Sequence, residues 1–331
     1  MKRNLTAATF ALLVSGGALG AQTVSSQCPG ATAAQRVAQD VCQKAVDLFQ
    51  YVSPQLGAVI AGGNPTLGQG GTLGGVGHFA VSLRGNVLAG SLPDVRTVSV
   101  SYSGAQSSAF PTTGQALPMP AVDAAIGVFK GLPLGLTNVG GVDLLLNASY
   151  LPSYSGSNVD IAVSTPLQIG YGARIGLLQE SLISPGIALS LFHRDLPKVD
   201  LTGVTPNSDT LQVLGYQVKT NSWRLTASKN LLLFGLALGA GQDRYRSQAS
   251  VRGSAAGTPI LGGRQGFGPA AMSQSITRTN YFADAYMNIL LVKLVGELGL
   301  VQGGTVDTYN SFDKAPDAAR VYGSLGLRLG F

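Results

Sequence analysis

Charge is scarce in this sequence: Asp, Glu, Lys and Arg together make up 11% of its 331 residues. No block of Lys or Arg exists, and the formal net charge of +6 is scattered along the chain, so no nucleic-acid partner is expected. Histidine and cysteine number two each. No cluster of ligating side chains has metal-site spacing, and neither a Gly-rich phosphate loop nor a thiol-nucleophile motif is found, so no metal, cofactor or catalytic set is nominated and no enzyme is expected. Long apolar runs are missing too. Beyond the first 21 residues none reaches the roughly 18 residues that a spanning helix needs, although the mean hydropathy is +0.25. High hydropathy without helical spans fits either an apolar α/β enzyme or a sheet protein whose apolar residues are diluted by alternation.

What the chain has is glycine, 45 residues of it, and a period of two. In the stretch Arg320 to Phe331, Val321, Leu325, Leu327, Leu329 and Phe331 fall on one side, and Arg320, Tyr322, Ser324 and Arg328 on the other. Successive strand residues point to opposite faces, so this is a strand with one apolar and one polar wall. The same alternation recurs from residue 76 onward. Phe79, Val81 and Leu83 oppose Ser82 and Arg84; Leu144 and Leu146 oppose Asp143 and Asn147; Ile169, Tyr171, Ala173 and Ile175 oppose Gln168 and Arg174; Leu236 and Leu238 oppose Gly235, Ala237 and Gly239. Ala124, Ile126 and Val128 mark a strand after a long loop at about 91–119. Tight links near 182–184, 230–231 and 290–291 alternate with long polar ones near 152–165, 196–210, 247–274 and 305–318.

The opening MKRNLTAATFALLVSGGALGAQ has Lys2 and Arg3, a short apolar run and small residues at 18–20. It reads as a secretory signal peptide, and Cys28 lacks the context of a lipoprotein site. Residues 28–53 read as a helix: Thr32 and Gln35 form a capping box, and Pro54 is expected to end it. Cys28 and Cys42 are expected to bridge, closing a loop of about 15 residues worth roughly 3 kcal/mol; two unpaired thiols are the alternative. Residues 56–77 are Gly-rich and nearly uncharged, a connector that either threads into the interior or lies beneath it.

An amphipathic last strand ending in Phe331, with a leader and this alternation, resembles the Gram-negative outer-membrane β-barrels. The resemblance covers 76–331 and implies an assembly signal at Phe331, outer-membrane lipid, lipopolysaccharide and the barrel-assembly machinery as partners, and a location in the outer membrane. The expected fold is all-β: an antiparallel transmembrane barrel of about ten strands, with twelve as the alternative, and a short N-terminal helix. Ten requires residues 211–229 to be one overlong strand; twelve would split them at 220–221 and count 95–102 as a strand. The expected organisation is 1–21 signal peptide, 22–75 helix and Gly-rich connector, and 76–331 barrel. A helical, Gly-rich piece before a barrel is also similar to the long-chain fatty-acid transporter family, whose N-terminal hatch plugs the lumen. That family has fourteen strands and a longer hatch, so no ligand residues are carried over.

Inward parity nominates Arg84, Asp143, Arg174, Glu180, Arg224, Asp284, Lys293, Glu297, Arg320 and Arg328 as lumen-lining. Either they pair into a plugged interior or they line a polar path whose charges set selectivity. The glycines and alanines of 235–241 leave room for such a path. His193 with Asp195 resembles the rim site of the ten-stranded omptin proteases, but the order of the two residues is reversed and His193 shares parity with the outward Leu189 and Leu191. An outer-membrane phospholipase would need a Ser–His pair on one inward face, which is not found. The functional expectation is a narrow pore or transporter of small or hydrophobic solutes; a structural or adhesive surface protein is the alternative, and a rim hydrolase the third.

Overall fold

The computed structural model describes residues 23–330 apart from 152, 156–158, 205–208 and 256–261. The leader and Phe331, with its expected assembly role, lie outside the described residues.

Ten antiparallel strands form a closed ring: β1 Phe79–Pro93, β2 Thr112–Phe129, β3 Gly141–Tyr150, β4 Leu167–Leu178, β5 Gly186–Asp195, β6 Thr210–Leu231, β7 Phe234–Ala255, β8 Gln265–Ile289, β9 Val292–Gln302 and β10 Arg320–Gly330. Each pairs with its neighbour in sequence, and β10 returns to β1 from Ala80↔Gly330 to Leu88↔Tyr322. In hydrocarbon every unpaired backbone group costs several kcal/mol, so closure is what allows a sheet to sit there. The outward wall is apolar: Leu325, Leu327, Leu236, Leu238, Ile169 and Leu144 are exposed, while their inward neighbours are buried. Tyr150, Tyr171, Trp223 and Tyr281 stand exposed nearer one end, with Phe79, Phe129 and Phe234 at the other, as aromatic girdles do at membrane interfaces.

All the short turns lie at one end of the ring. Barrels of this type turn tightly on the periplasmic side, which makes that end the inner one. Two of the turns are two-residue links, Leu232–Leu233 and Leu290–Leu291, with Leu232 at φ 64° and Leu290 at φ 55°. The first lies two residues beyond the expected position. Such turns usually carry Asn or Gly, because a left-handed backbone crowds Cβ. Here leucine takes the position and is almost fully exposed.

At the outer end the strands outrun the bilayer. Residues 210–231 form one strand, as the ten-strand reading requires, and residues 95–102 form a 3-10 turn and coil, not a strand. The long loop at 91–119 is shorter than expected, because β2 begins at Thr112. Pro118 and Pro120 fit inside it because residues 112–120 pair with β1 alone, so their missing N–H groups leave no bond unmade. The expected loop 247–274 is mostly strand: Ser247 pairs with Gln274 and Ala255 with Gln265. Val199–Val204, Val159–Val163 and Tyr154–Ser155 add a small sheet to the projecting part of β6.

The helix α1 runs Ala33–Ala61, begins at the outer mouth and descends inside the ring. Its start confirms the capping box: the Gln35 N–H donates to Thr32 Oγ1 at 3.2 Å, and the Thr32 N–H donates to Gln35 Oε1 at 3.0 Å. Its end does not fall at Pro54, which lies within it. Pro54 has no N–H for the carbonyl of Gln50; the side chain of Gln274 from β8 donates to that carbonyl instead, at 3.4 Å. The surrounding wall thus carries the helix through a residue that would stop it in water.

Candidate functional site: an occupied lumen

Between Val37 and Gly75 no residue is exposed. Helix and connector together fill the interior, and the connector threads into the barrel.

The outer half is closed by packing. One side of α1 lies against the projecting strands β6–β8: Phe49, Val59 and Ile60 share a cluster with Tyr216, Val218, Tyr245 and Ile276. The rings of Phe49 and Tyr216 meet edge to face at 5.8 Å, and the Tyr245 ring lies over Gly57, where a Cβ would come within 2.5 Å of it. Cys28 and Cys42 are bridged, with Cα atoms 5.6 Å apart, and pack with Val46 against Val251 and Ala270. The polar side of α1 faces the loops 94–111 and 303–319. Asp40 accepts the N–H groups of Ser101 (2.7 Å) and Gln106 (2.9 Å) and pairs with Lys44 at 2.6 Å. Asp47 accepts the Asn310 N–H at 2.7 Å and its amide at 2.6 Å. The two loops clip together through Ala109–Phe110 beside Ser311–Phe312, whose Phe312 stacks on Tyr51 at 4.4 Å.

Midway, cations meet the end of the helix. Arg194 donates to the Ala61 carbonyl at 2.7 Å, and Arg224 and Asn280 each donate to the Gly62 carbonyl at 3.0 Å. These are the carbonyls that a helix leaves unbonded, at its partially negative end, so arginines belong there. Arg224 is also paired with Asp243 at 2.7 Å, and Arg84 with Asp123 at 2.8 Å.

Below, the connector is held by polar contacts. Glu297 accepts the Asn64 N–H at 2.7 Å, and Asp284 accepts the Asn64 amide at 2.7 Å and the Gly68 N–H at 3.0 Å. Asp143 is paired with Arg174 at 2.6 Å and accepts the Leu73 N–H. Leu67 brings bulk against Tyr286 and Val295, and Leu73 packs on Ala125, Leu145 and Phe192.

The ten nominated residues therefore do different things. Arg84, Asp143, Arg174, Arg224, Asp284 and Glu297 are buried and touch the plug or one another. Asp284 and Glu297 form no ion pair with Lys293, Arg320 or Arg328: the two carboxylates face each other in register and bind the connector's N–H groups. Arg320 is buried near the outer end and reaches Tyr51 and a loop carbonyl. Glu180 lies beyond the end of β4 and accepts the Asn230 N–H. Lys293 and Arg328 stand at the inner mouth. The expected room at 235–241 is taken: Tyr286 and Phe282 lie over Gly235 and Gly239, just as Tyr322 lies over Gly299.

Asp123, Arg194, Asp243, Arg278 and Asn280 were not nominated, yet all are buried inward. Continuing the parity of 235–241 to 243, and that of 280–284 back to 278, finds Asp243 and Arg278. His193 faces outward next to the Leu191–Trp223 pair; it bonds Asn221 at 2.8 Å and stands 3.1 Å from Asp195, beside the Tyr171 ring. His78 is exposed at the inner mouth.

No protein-family profile matches the sequence, and no curated protein does. Solved structures do match at low identity. The attachment invasion locus protein Ail of Yersinia pestis shares 9% identity over 77% of this chain and 99% of its own, with a TM-score of 0.27. For the transport unit of the autotransporter AIDA-I from Escherichia coli the values are 9%, 89%, 99% and 0.35. For the toluene transporter TodX of Pseudomonas putida they are 8%, 76%, 88% and 0.28. The closed ladder, apolar outer wall, aromatic girdles and one-sided short turns carry the assignment: this chain is an outer-membrane β-barrel of the Gram-negative type, closed by its own N-terminal segment.

Proposed function

We propose that the protein is a self-plugged barrel, closed at rest, that serves as a structural element of the cell surface and has no enzymatic role. Lipid and lipopolysaccharide around its wall, and the machinery that inserts it, are its proposed partners. The observation that supports this reading is that no residue from Val37 to Gly75 is exposed. A wall charge that binds plug backbone cannot also line a water path. In planar lipid bilayers the full chain is expected to give no steady current, and a chain lacking residues 23–77 to give one. Steady conductance from the intact protein would overturn the proposal.

A second reading, gated passage of a small solute, is favoured by the make-up of residues 62–77, which are poor in apolar mass and held chiefly by hydrogen bonds. In liposomes a disulfide joining Thr72→Cys to Gln179→Cys, whose native side chains bond at 2.7 Å, is expected to stop uptake that a reductant restores. Uptake indifferent to that tether would end this reading.

A further inference from the structure

At the inner mouth the plug and wall leave a cavity of about 330 Å³, lined by Leu73 of the connector, by His78 directly ahead of β1, and by Lys293, Arg328, Leu290 and Leu291 of the wall. We infer that this cavity is a binding site for a phosphate-bearing anion.

The argument starts from register. Lys293 on β9 stands directly opposite Arg328 on β10, both on the inward face. Cross-strand pairs favour opposite signs, and like charges in that position repel. No carboxylate lies within 4.0 Å of either cation among the described residues. The acidic groups of this region are engaged elsewhere: Asp143 with Arg174 at 2.6 Å, and Glu180 with the Asn230 N–H at 2.5 Å and the Ser228 hydroxyl at 3.4 Å. Arg328, only 5% exposed, donates to two neutral oxygens, the Leu67 carbonyl and Gln69 Oε1. The Lys293 ammonium stands 4.9 Å from the centroid of the Tyr286 ring. A buried cation gains far more from an anion than from a carbonyl. Buried Arg328 and half-buried Lys293 on one cavity wall, with His78 across the same opening, therefore leave an excess of positive charge for an incoming group to neutralise. Phosphate suits both: the guanidinium presents a planar fork and the ammonium a point charge.

Free phosphate and a phospholipid headgroup share this chemistry. The rest of the wall favours the lipid. Leu290 is fully exposed and Leu291 largely so, and together they form the turn between β8 and β9, at the inner edge of the apolar outer wall. An acyl chain lying along them would place its phosphate at the cation pair. The site stands whether or not the lumen ever opens.

The test uses the full chain in neutral detergent micelles, titrated with short-chain phosphatidylglycerol, with phosphatidylcholine, and with inorganic phosphate. Phosphatidylglycerol is expected to bind more tightly than phosphatidylcholine, and Lys293→Gln to weaken it roughly tenfold or more. Lys293 is the residue to change, because Arg328 also holds the connector; the heat-induced gel shift of folded barrels checks that the variant is intact, and Lys293→Glu should weaken binding further. Saturable, Lys293-dependent binding of inorganic phosphate alone would assign the site to the free ion; dependence confined to phosphatidylglycerol would assign it to lipid. Equal binding of the two lipids with no binding of phosphate, or an unchanged affinity in a folded Lys293→Glu variant, would overturn the inference.

Discussion

The outer and inner halves of the lumen are filled by the same chain segment, yet by different physics. Above Ala61 the filler is a stiff helix with rings and branched side chains on one side and a short row of acids on the other. It is clasped by strands that overshoot the bilayer and stapled by a disulfide. Below Gly62 the filler is a chain with little side-chain mass, positioned by carboxylates that accept its N–H groups. Apolar packing is spread over many individually small contacts, whereas a buried carboxylate with its donor removed is left with a large desolvation cost. The outer plug should therefore weaken by degrees under mutation, and the inner one fail abruptly.

The sharpest way to break this contrast is in the inner half. Arg174→Met leaves Asp143 buried without its cation and is expected to cost about 3–5 kcal/mol, read as a lower temperature for the loss of the heat-modifiable folded band and as brief current bursts in bilayers. A silent, fully stable variant would show that the ion pair does not hold the connector. Next in size is the staple. Cys28→Ser with Cys42→Ser should cost up to roughly 3 kcal/mol, the loop-closure value for about 15 residues, and lower the folded-band temperature without opening a current. Bursts in that variant would mean that the outer half gates the lumen after all. Smallest is Gln274→Ala, which strips the Gln50 carbonyl of its donor at the proline. A loss of about 0.5–1.5 kcal/mol is expected, and restoring the missing N–H with Pro54→Ala in the same chain should recover most of it.

How far such a molecule can be read from its residues depends on whether a residue's environment is periodic. The lipid-facing wall is: Leu325, Leu327 and Leu329 repeat every second position because the pleat and the bilayer both demand it, so ring closure, strand number and the overlong β6 were legible. Strand ends beyond the bilayer were not. Lipid no longer imposes alternation there, and Pro118, Pro120 and the Gly/Ala-rich 247–274 look like loop although the ladder runs through them. Pro54 misled for a related reason: its local rule holds in water, and the Gln274 amide that relaxes it lies 220 positions away in the chain. Inward parity placed eight of the ten nominated side chains against the plug or one another, but it could not reveal that Asp284 and Glu297 would bind backbone. A carboxylate's partner is chosen by the path of residues 62–77, and that path has no period to read.

The helix begins at the outer mouth, while β1 starts from the inner one. Counted with the strands, it gives the described residues an odd number of passages through the envelope layer. The two ends of the described chain consequently lie on different sides of the membrane: Thr23 on the outer, Gly330 on the inner. A tag placed just ahead of Ser25 would be displayed to antibodies on intact bacteria, whereas the same tag in the turn at Leu290 would be reached only after lysis.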